Sequence, residues 1–167
     1  MHKAIQRFAI ILACVSVGGV PVTAAKSAKS AASVKVAVAD MVAARQAAML
    51  MSAANLGSIK ALIDSGAGAD KLGFPVAGLA SWASALTGLF PKGSASSNSR
   101  ALPAVWSDWV GFAAEGQKYS DAAKGLQAAV KGGDKAAISA AFDGVRGSCK
   151  SCHDKYQAPP PAMPAVK

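Results

Sequence analysis

Ile138-Ser-Ala-Ala-Phe142-Asp-Gly-Val145-Arg-Gly-Ser-Cys149-Lys-Ser-Cys152-His153 is the stretch on which the reading of this 167-residue chain turns. Ile138, Ala141, Phe142, Val145 and Cys149 recur every three or four positions, which is helical periodicity. Continued through the last five residues, such a helix puts Cys149 at i, Cys152 at i+3 and His153 at i+4, all on one face. Two thiols three apart with an imidazole directly after the second form the C-x-x-C-H pattern of covalent c-type haem attachment. Thioethers from Cys149 and Cys152 can pin the porphyrin edge while the ring nitrogen of His153 reaches the iron as an axial ligand. The expected cofactor is therefore one covalently attached haem c per chain.

Three other uses of these residues compete less well. A redox-active dithiol needs its first Cys at a helix N-terminus, where the dipole lowers the thiol pKa. Here the pair lies about four turns into a helix that should start near Asp134. A structural zinc site wants four ligands, and only these two Cys and one His remain once an N-terminal segment holding His2 and Cys14 is removed. A disulfide is awkward between i and i+3 on a regular helix.

That removable segment is residues 1–25. Lys3 and Arg7 form a basic start, Phe8 to Val20 an apolar run too short to span a bilayer, and Val22-Thr-Ala-Ala25 a small-residue cleavage site. A secretory signal peptide fits the haem reading, since c-type haem is attached after export in bacteria, and it predicts a periplasmic protein with no membrane span. Taking Lys3 and Arg7 from the 18 basic residues leaves 16 against nine acidic ones, or +7. Such a surface favours an acidic redox partner protein by steering. The lysines are scattered and no basic run interleaves with aromatics, so nucleic acid is not an expected partner.

The rest of the chain reads as helices. Residues 26–33 are small and polar, a flexible lead-in. A first helix runs from Val34 to about Asn55, with Gly57 as its stop and a short extension and loop over 57–73. Its stripe, Val34, Val38, Met41, Arg45, Met49, Ser52 and Leu56, carries an arginine that needs an anionic partner if buried. A second helix starts at Pro75 and ends near Leu89, and Pro91 to Arg100 is a surface loop. Pro103 opens a third, whose stripe includes Trp106, Trp109, Phe112, Gly116, Tyr119, Leu126 and Val130. Gly111, Gly116 and Gly125 mark places where something presses close. Asp134 caps a fourth helix, which ends at Tyr156. The tail, 158–167, is Pro-rich and expected to be disordered or polyproline II. Four helices and no strand signal give an all-α, antiparallel four-helix bundle over residues 34–157.

A C-terminal C-x-x-C-H on the last of four helices resembles the class II c-type cytochromes, the cytochrome c′ family. The matching residues are Arg45-Gln46-Ala47-Ala48-Met49, Phe90-Pro91-Lys92-Gly93, Leu102-Pro103-Ala104-Val105-Trp106-Ser107-Asp108, Val145 and Ser148 to Asp154. The resemblance implies that Cys149 and Cys152 bind the haem vinyl carbons and that His153 is the proximal iron ligand. It implies Arg45 beside a haem propionate, with Gln46 next to it in the cofactor site, and Met49 facing the iron from the distal side. It also implies a homodimer through the first two helices, where Ala43, Ala44, Ala47 and Ala53 permit close packing. One position departs. Members often carry a basic residue after the aromatic that follows the motif, whereas here Tyr156 is followed by Gln157.

His153 is the only histidine left after processing, so the sixth iron position falls to Met49, water, a gas or nothing. The expected site is open and five-coordinate, binding nitric oxide or carbon monoxide and also carrying single electrons. A bound Met49 would give a six-coordinate, low-spin, dedicated electron carrier. No catalytic acid–base pair or nucleophile constellation stands out, so an enzyme is not expected.

Overall fold

The computed structural model describes residues 37–160. The signal peptide 1–25, the lead-in 26–33, the first helix's start at Val34 and residues 161–167 of the tail lie outside the described residues. Within them are four long helices, α1 (Val38–Asp64), α2 (Ala69–Ala85), α4 (Trp109–Gly132) and α5 (Lys135–Tyr156), with a single-turn α3 (Ala104–Ser107). They form the four-helix bundle expected from the periodicity. Among the described residues no strand occurs, only an isolated antiparallel bridge between Ala101 and Gln157.

Local chemistry places most of the ends. Asp134 accepts from the Ala136 and Ala137 N–H groups at the start of α5 (2.8 and 3.4 Å), and Gly133, at φ 75°, ends α4 in a left-handed turn that glycine adopts without strain. Two expected boundaries move. Gly57 does not stop α1. Ile59, fully buried, and Leu62 and Ile63, packed on the core, carry the apolar face past it, and burial outweighs the roughly 1 kcal/mol that glycine costs a helix. The chain leaves the helix at Ser65–Gly66, where Gly66 takes φ 68°. α2 starts six residues before Pro75 because Leu72, 1% exposed, belongs to the same buried stripe as Val76 and Leu79. Pro75 instead lies inside α2, and its carbonyl accepts from Asn55 Nδ2 (2.8 Å), tying α2 to α1.

The third expected helix is two. At Asp108 the backbone leaves helical geometry (φ −116°, ψ 56°), and its side chain accepts from Gly111 N–H (3.1 Å) to cap α4 afresh. Asp108 also receives the Tyr156 hydroxyl (2.7 Å), so the joint is bolted to the end of α5. The break turns Trp109 outward, 43% exposed, although the stripe had it inward.

The core is built mainly where α4 packs on α2 and α5, and α1 leans on α2 while meeting α5 sparsely. Fully buried Leu79, Leu126 and Val145 mark its centre. Two of the three marked glycines are indeed tight. A Cβ on Gly116 would lie 2.6 Å from the Thr87 methyl, and one on Gly111 would meet Tyr156 Oη at 2.5 Å. Gly125 faces open space instead. Because α1 and α5 touch little, a cleft stays open between them.

Candidate haem site

α5 runs without interruption through Cys149, Cys152 and His153, as their spacing requires. Across the cleft α1 presents Arg45, Gln46 and Met49. The six expected residues surround two neighbouring cavities. The first, about 320 Å³, is lined by Arg45, Gln46, Met49, Cys152 and His153 together with an unforeseen Arg100. The second, about 210 Å³, is lined by Met49, Cys149, Cys152 and His153, with Trp82 and Glu115 behind. Met49 and His153 line both, so they face the place where the cavities meet.

The thiols are free and partly buried. Burial pushes Cys149 above its ordinary pKa, and burial with the nearby Glu115 charge pushes Cys152 up to about 11. These are unlike the lowered thiols of a redox dithiol. Among the described residues no three His, Cys, Asp or Glu side chains converge to hold a metal ion by themselves. Burial lowers the His153 pKa and the Arg100 charge adds to that, which keeps the imidazole neutral and able to ligate.

Arg45 is 3% exposed, and no acid among the described residues reaches it. Its Nη1 donates to Leu89 O (3.1 Å) and Ser94 Oγ (3.0 Å), and its Nη2 to Ser94 O (3.1 Å). Its guanidinium lies 4.7 Å from the Phe90 ring centroid. The expectation that this stripe arginine needs an anion is met only halfway. Neutral acceptors satisfy its N–H groups, but no acid among the described residues neutralises its charge, and desolvation lowers its pKa. Gln46 Nε2 donates to Asn98 O (2.9 Å), bringing the loop over the same end of the cleft.

Two residues of the site were missed. Glu115, 2% exposed, accepts from Ser151 Oγ inside the C-x-x-C motif (2.7 Å), from Lys155 (2.6 Å) and from Lys118 (3.0 Å). Those three donors pull its carboxyl down to about 2. A lone glutamate on the helix face shared with Phe112 and Tyr119 was the available sign. Arg100 donates from Nε and Nη2 to Ala158 O (2.9 and 2.6 Å) and from Nη2 to Gln157 Oε1 (3.3 Å). Its partners lie more than fifty residues away, and nothing local announces them.

The residues fit a c-type haem. Two thiols and an imidazole share one helix face beside connected, mostly apolar space, and a buried guanidinium without an acid stands at one end. The Trp82 indole N–H, on the far wall, is buried with no partner among the described residues. In such a site Cys149 and Cys152 would carry the macrocycle and His153 would hold its iron.

A family model described as Cytochrome C′ matches residues 40–157. Cytochrome c′ of Rubrivivax gelatinosus is 44% identical over 72 residues, 43% of this chain and 56% of that protein. The chain spans about half the length of the curated relatives it matches first. Solved structures are covered almost entirely. The nitric oxide complex of a leucine-to-alanine variant of Alcaligenes xylosoxidans cytochrome c′ superposes with a TM-score of 0.69 at 30% identity, covering 74% of this chain and 97% of that one. A carbon monoxide-bound leucine-to-glycine variant of the same protein gives 0.68 at 30% identity, covering 73% and 97%. With the motif, the bundle and these matches in agreement, the chain belongs to the cytochrome c′ family, whose members carry covalently attached haem c.

Proposed function

We propose that this chain is a periplasmic single-haem cytochrome that binds nitric oxide or carbon monoxide at an open distal face and passes single electrons. The reading is carried by one observation: Cys149, Cys152 and His153 on α5 face Met49 and Arg45 on α1 across shared apolar space. Cys149 and Cys152 would hold the haem covalently through their sulfurs, and His153 would ligate its iron. Arg45 offers its uncompensated charge to a propionate, with Gln46 steadying the loop beside it. When bound, the haem supplies a one-electron couple and an axial position for a small gas.

The chain's own part is to shape that position. Met49 and Leu86 wall the space with apolar groups, which hinders water and larger polar ligands. The basic surface and the N-terminal leader support export and an acidic redox partner. Exposed Leu50, Met51 and Phe74 (71, 69 and 91%) support a homodimer through α1 and α2. No hydrolytic or transfer chemistry is assigned.

Because Met49 lines both cavities, a second reading has it bound to iron, making a dedicated electron carrier. Expression in a host that attaches c-type haem tests both. The open site predicts a red periplasmic protein, haem that survives acid–acetone extraction, a high-spin ferric spectrum and a spectral change with nitric oxide. A low-spin spectrum unaffected by the gas would reject it in favour of Met49 ligation. A colourless product would reject both.

A further inference from the structure

The first cavity has an unusual charge inventory. Two guanidiniums line it, Arg45 from α1 and Arg100 from the loop before α3, and no Asp or Glu does. Arg45 is buried with neutral acceptors only. Arg100 stands at the rim, its Nε and Nη2 spent on Ala158 O and Gln157 Oε1, while its Nη1 makes no hydrogen bond within the described residues. The backbone holds it there. Ala158 N–H donates to Arg100 O (2.8 Å) and Leu102 N–H to Tyr156 O (2.9 Å), zipping the loop to the end of α5 one turn beyond His153. Two like charges lining one apolar space, with no Asp or Glu in that lining, are an environment an anion relieves.

We propose that Arg100 is a second carboxylate-binding residue of this site, receiving one haem propionate while Arg45 receives the other. The proposal rests on the haem reading and adds a residue to it. Arg100 comes from outside both the motif and the Arg45-Gln46 segment. It brings a positive charge beside Gln157, where the resemblance leads one to look for a basic side chain and finds none. The charged and titratable groups lining this end are Arg45 on α1, Arg100 on the loop, and His153 and Tyr156 on α5, while Asp154 lies outside the lining, paired with Lys150 (2.6 Å). Val105 and Phe112, from α3 and α4, contribute only apolar surface.

The test uses haem-loaded protein. Wild type, Arg100→Gln and Arg100→Lys are first checked for covalent haem by the pyridine haemochrome spectrum, and their reduction potentials are then followed from about pH 8 to about pH 3. Ordinary carboxylates titrate near pH 4, and adjacent guanidiniums lower that further, so the wild-type potential should stay level until well into the acid range. In Arg100→Gln the neutral-pH potential should fall, because a positive charge has left, and the acid step should move up by about one pH unit. Arg100→Lys, which keeps the charge, should lie close to wild type. An Arg100→Gln curve that superimposes on wild type overturns the proposal, leaving Arg100 a clamp for Ala158 that affects only the melting temperature. A lowered potential with an unmoved step overturns the carboxylate contact, and equal losses in both variants overturn the role of charge. Absence of haem in the wild type would instead sink the haem reading itself, and this inference with it.

Discussion

Replacing Glu115 by glutamine removes one negative charge from the interior while leaving the shape of the side chain almost unchanged. The wild-type carboxylate holds Ser151, Lys155 and Lys118, which ties α4 to the residues on either side of Cys152–His153. Its pKa falls from 4.5 to about 2. A drop of about 2.5 units corresponds to about 3.4 kcal/mol at 1.36 kcal/mol per unit. Both lysine side chains are more than half exposed (62 and 56%), so water screens their share and about half that figure, roughly 1.5 to 2 kcal/mol, is expected at neutral pH. A depressed carboxylate pKa contributes stability in full above the unfolded value near pH 4.5, and that stability drains away as the pH falls towards 2. Urea unfolding of both proteins at pH 7 and at about pH 2.5 reads this directly. The Glu115→Gln variant should be less stable by that amount at pH 7, and the gap should largely close at the acid end. A gap that persists undiminished at low pH, or none at pH 7, would refute the claim that Glu115 acts through its charge.

Met49→Ala should leave an open-site spectrum essentially unchanged and speed gas binding by clearing the wall of the cavity. If Met49 were a ligand, it would convert a low-spin spectrum to high-spin. Leu126→Ala, at a fully buried core position, should cost about 2 to 5 kcal/mol in chemical denaturation without moving the haem spectrum. Gly116→Ala should destabilise despite alanine's better helix propensity, because its methyl would be driven against Thr87, and a melting temperature at or above wild type would contradict that packing. The proposed homodimer predicts that wild type sediments as a dimer in analytical ultracentrifugation and that Phe74→Asp combined with Met51→Asp sediments as a monomer at the same concentration.

What the sequence disclosed follows the range of each interaction. α5 was legible end to end, since Asp134, the apolar period from Ile138 to Cys149 and the motif all act within a few residues. Arg45 stood out as a cation in an apolar stripe, although two carbonyls and the Ser94 hydroxyl, rather than an acid among the described residues, satisfy its N–H groups. Helix ends decided by tertiary burial were misjudged. Gly57 and Pro75 are strong local breakers, and only the packing of Ile59 and Leu72 overrules them. The split at Asp108 escaped notice because its second partner, Tyr156, is forty-eight residues away. Arg100 was invisible as a site residue for the same reason, and Glu115 showed only as a lone glutamate on the face of Phe112 and Tyr119.

The thin seam between α1 and α5 bears on how the protein matures. With α2, α4 and α5 sharing most of the buried apolar surface, three helices can assemble as a platform while α1 is held mainly along α2. Until the cleft is filled, α1 lacks support on the side facing Cys149 and Cys152. Amide exchange along Met41–Leu56 should accordingly be fast in the precursor and slow after attachment, while Leu126 and Val145 stay protected throughout. Installing the pigment is then also the step that seats the last wall of the bundle.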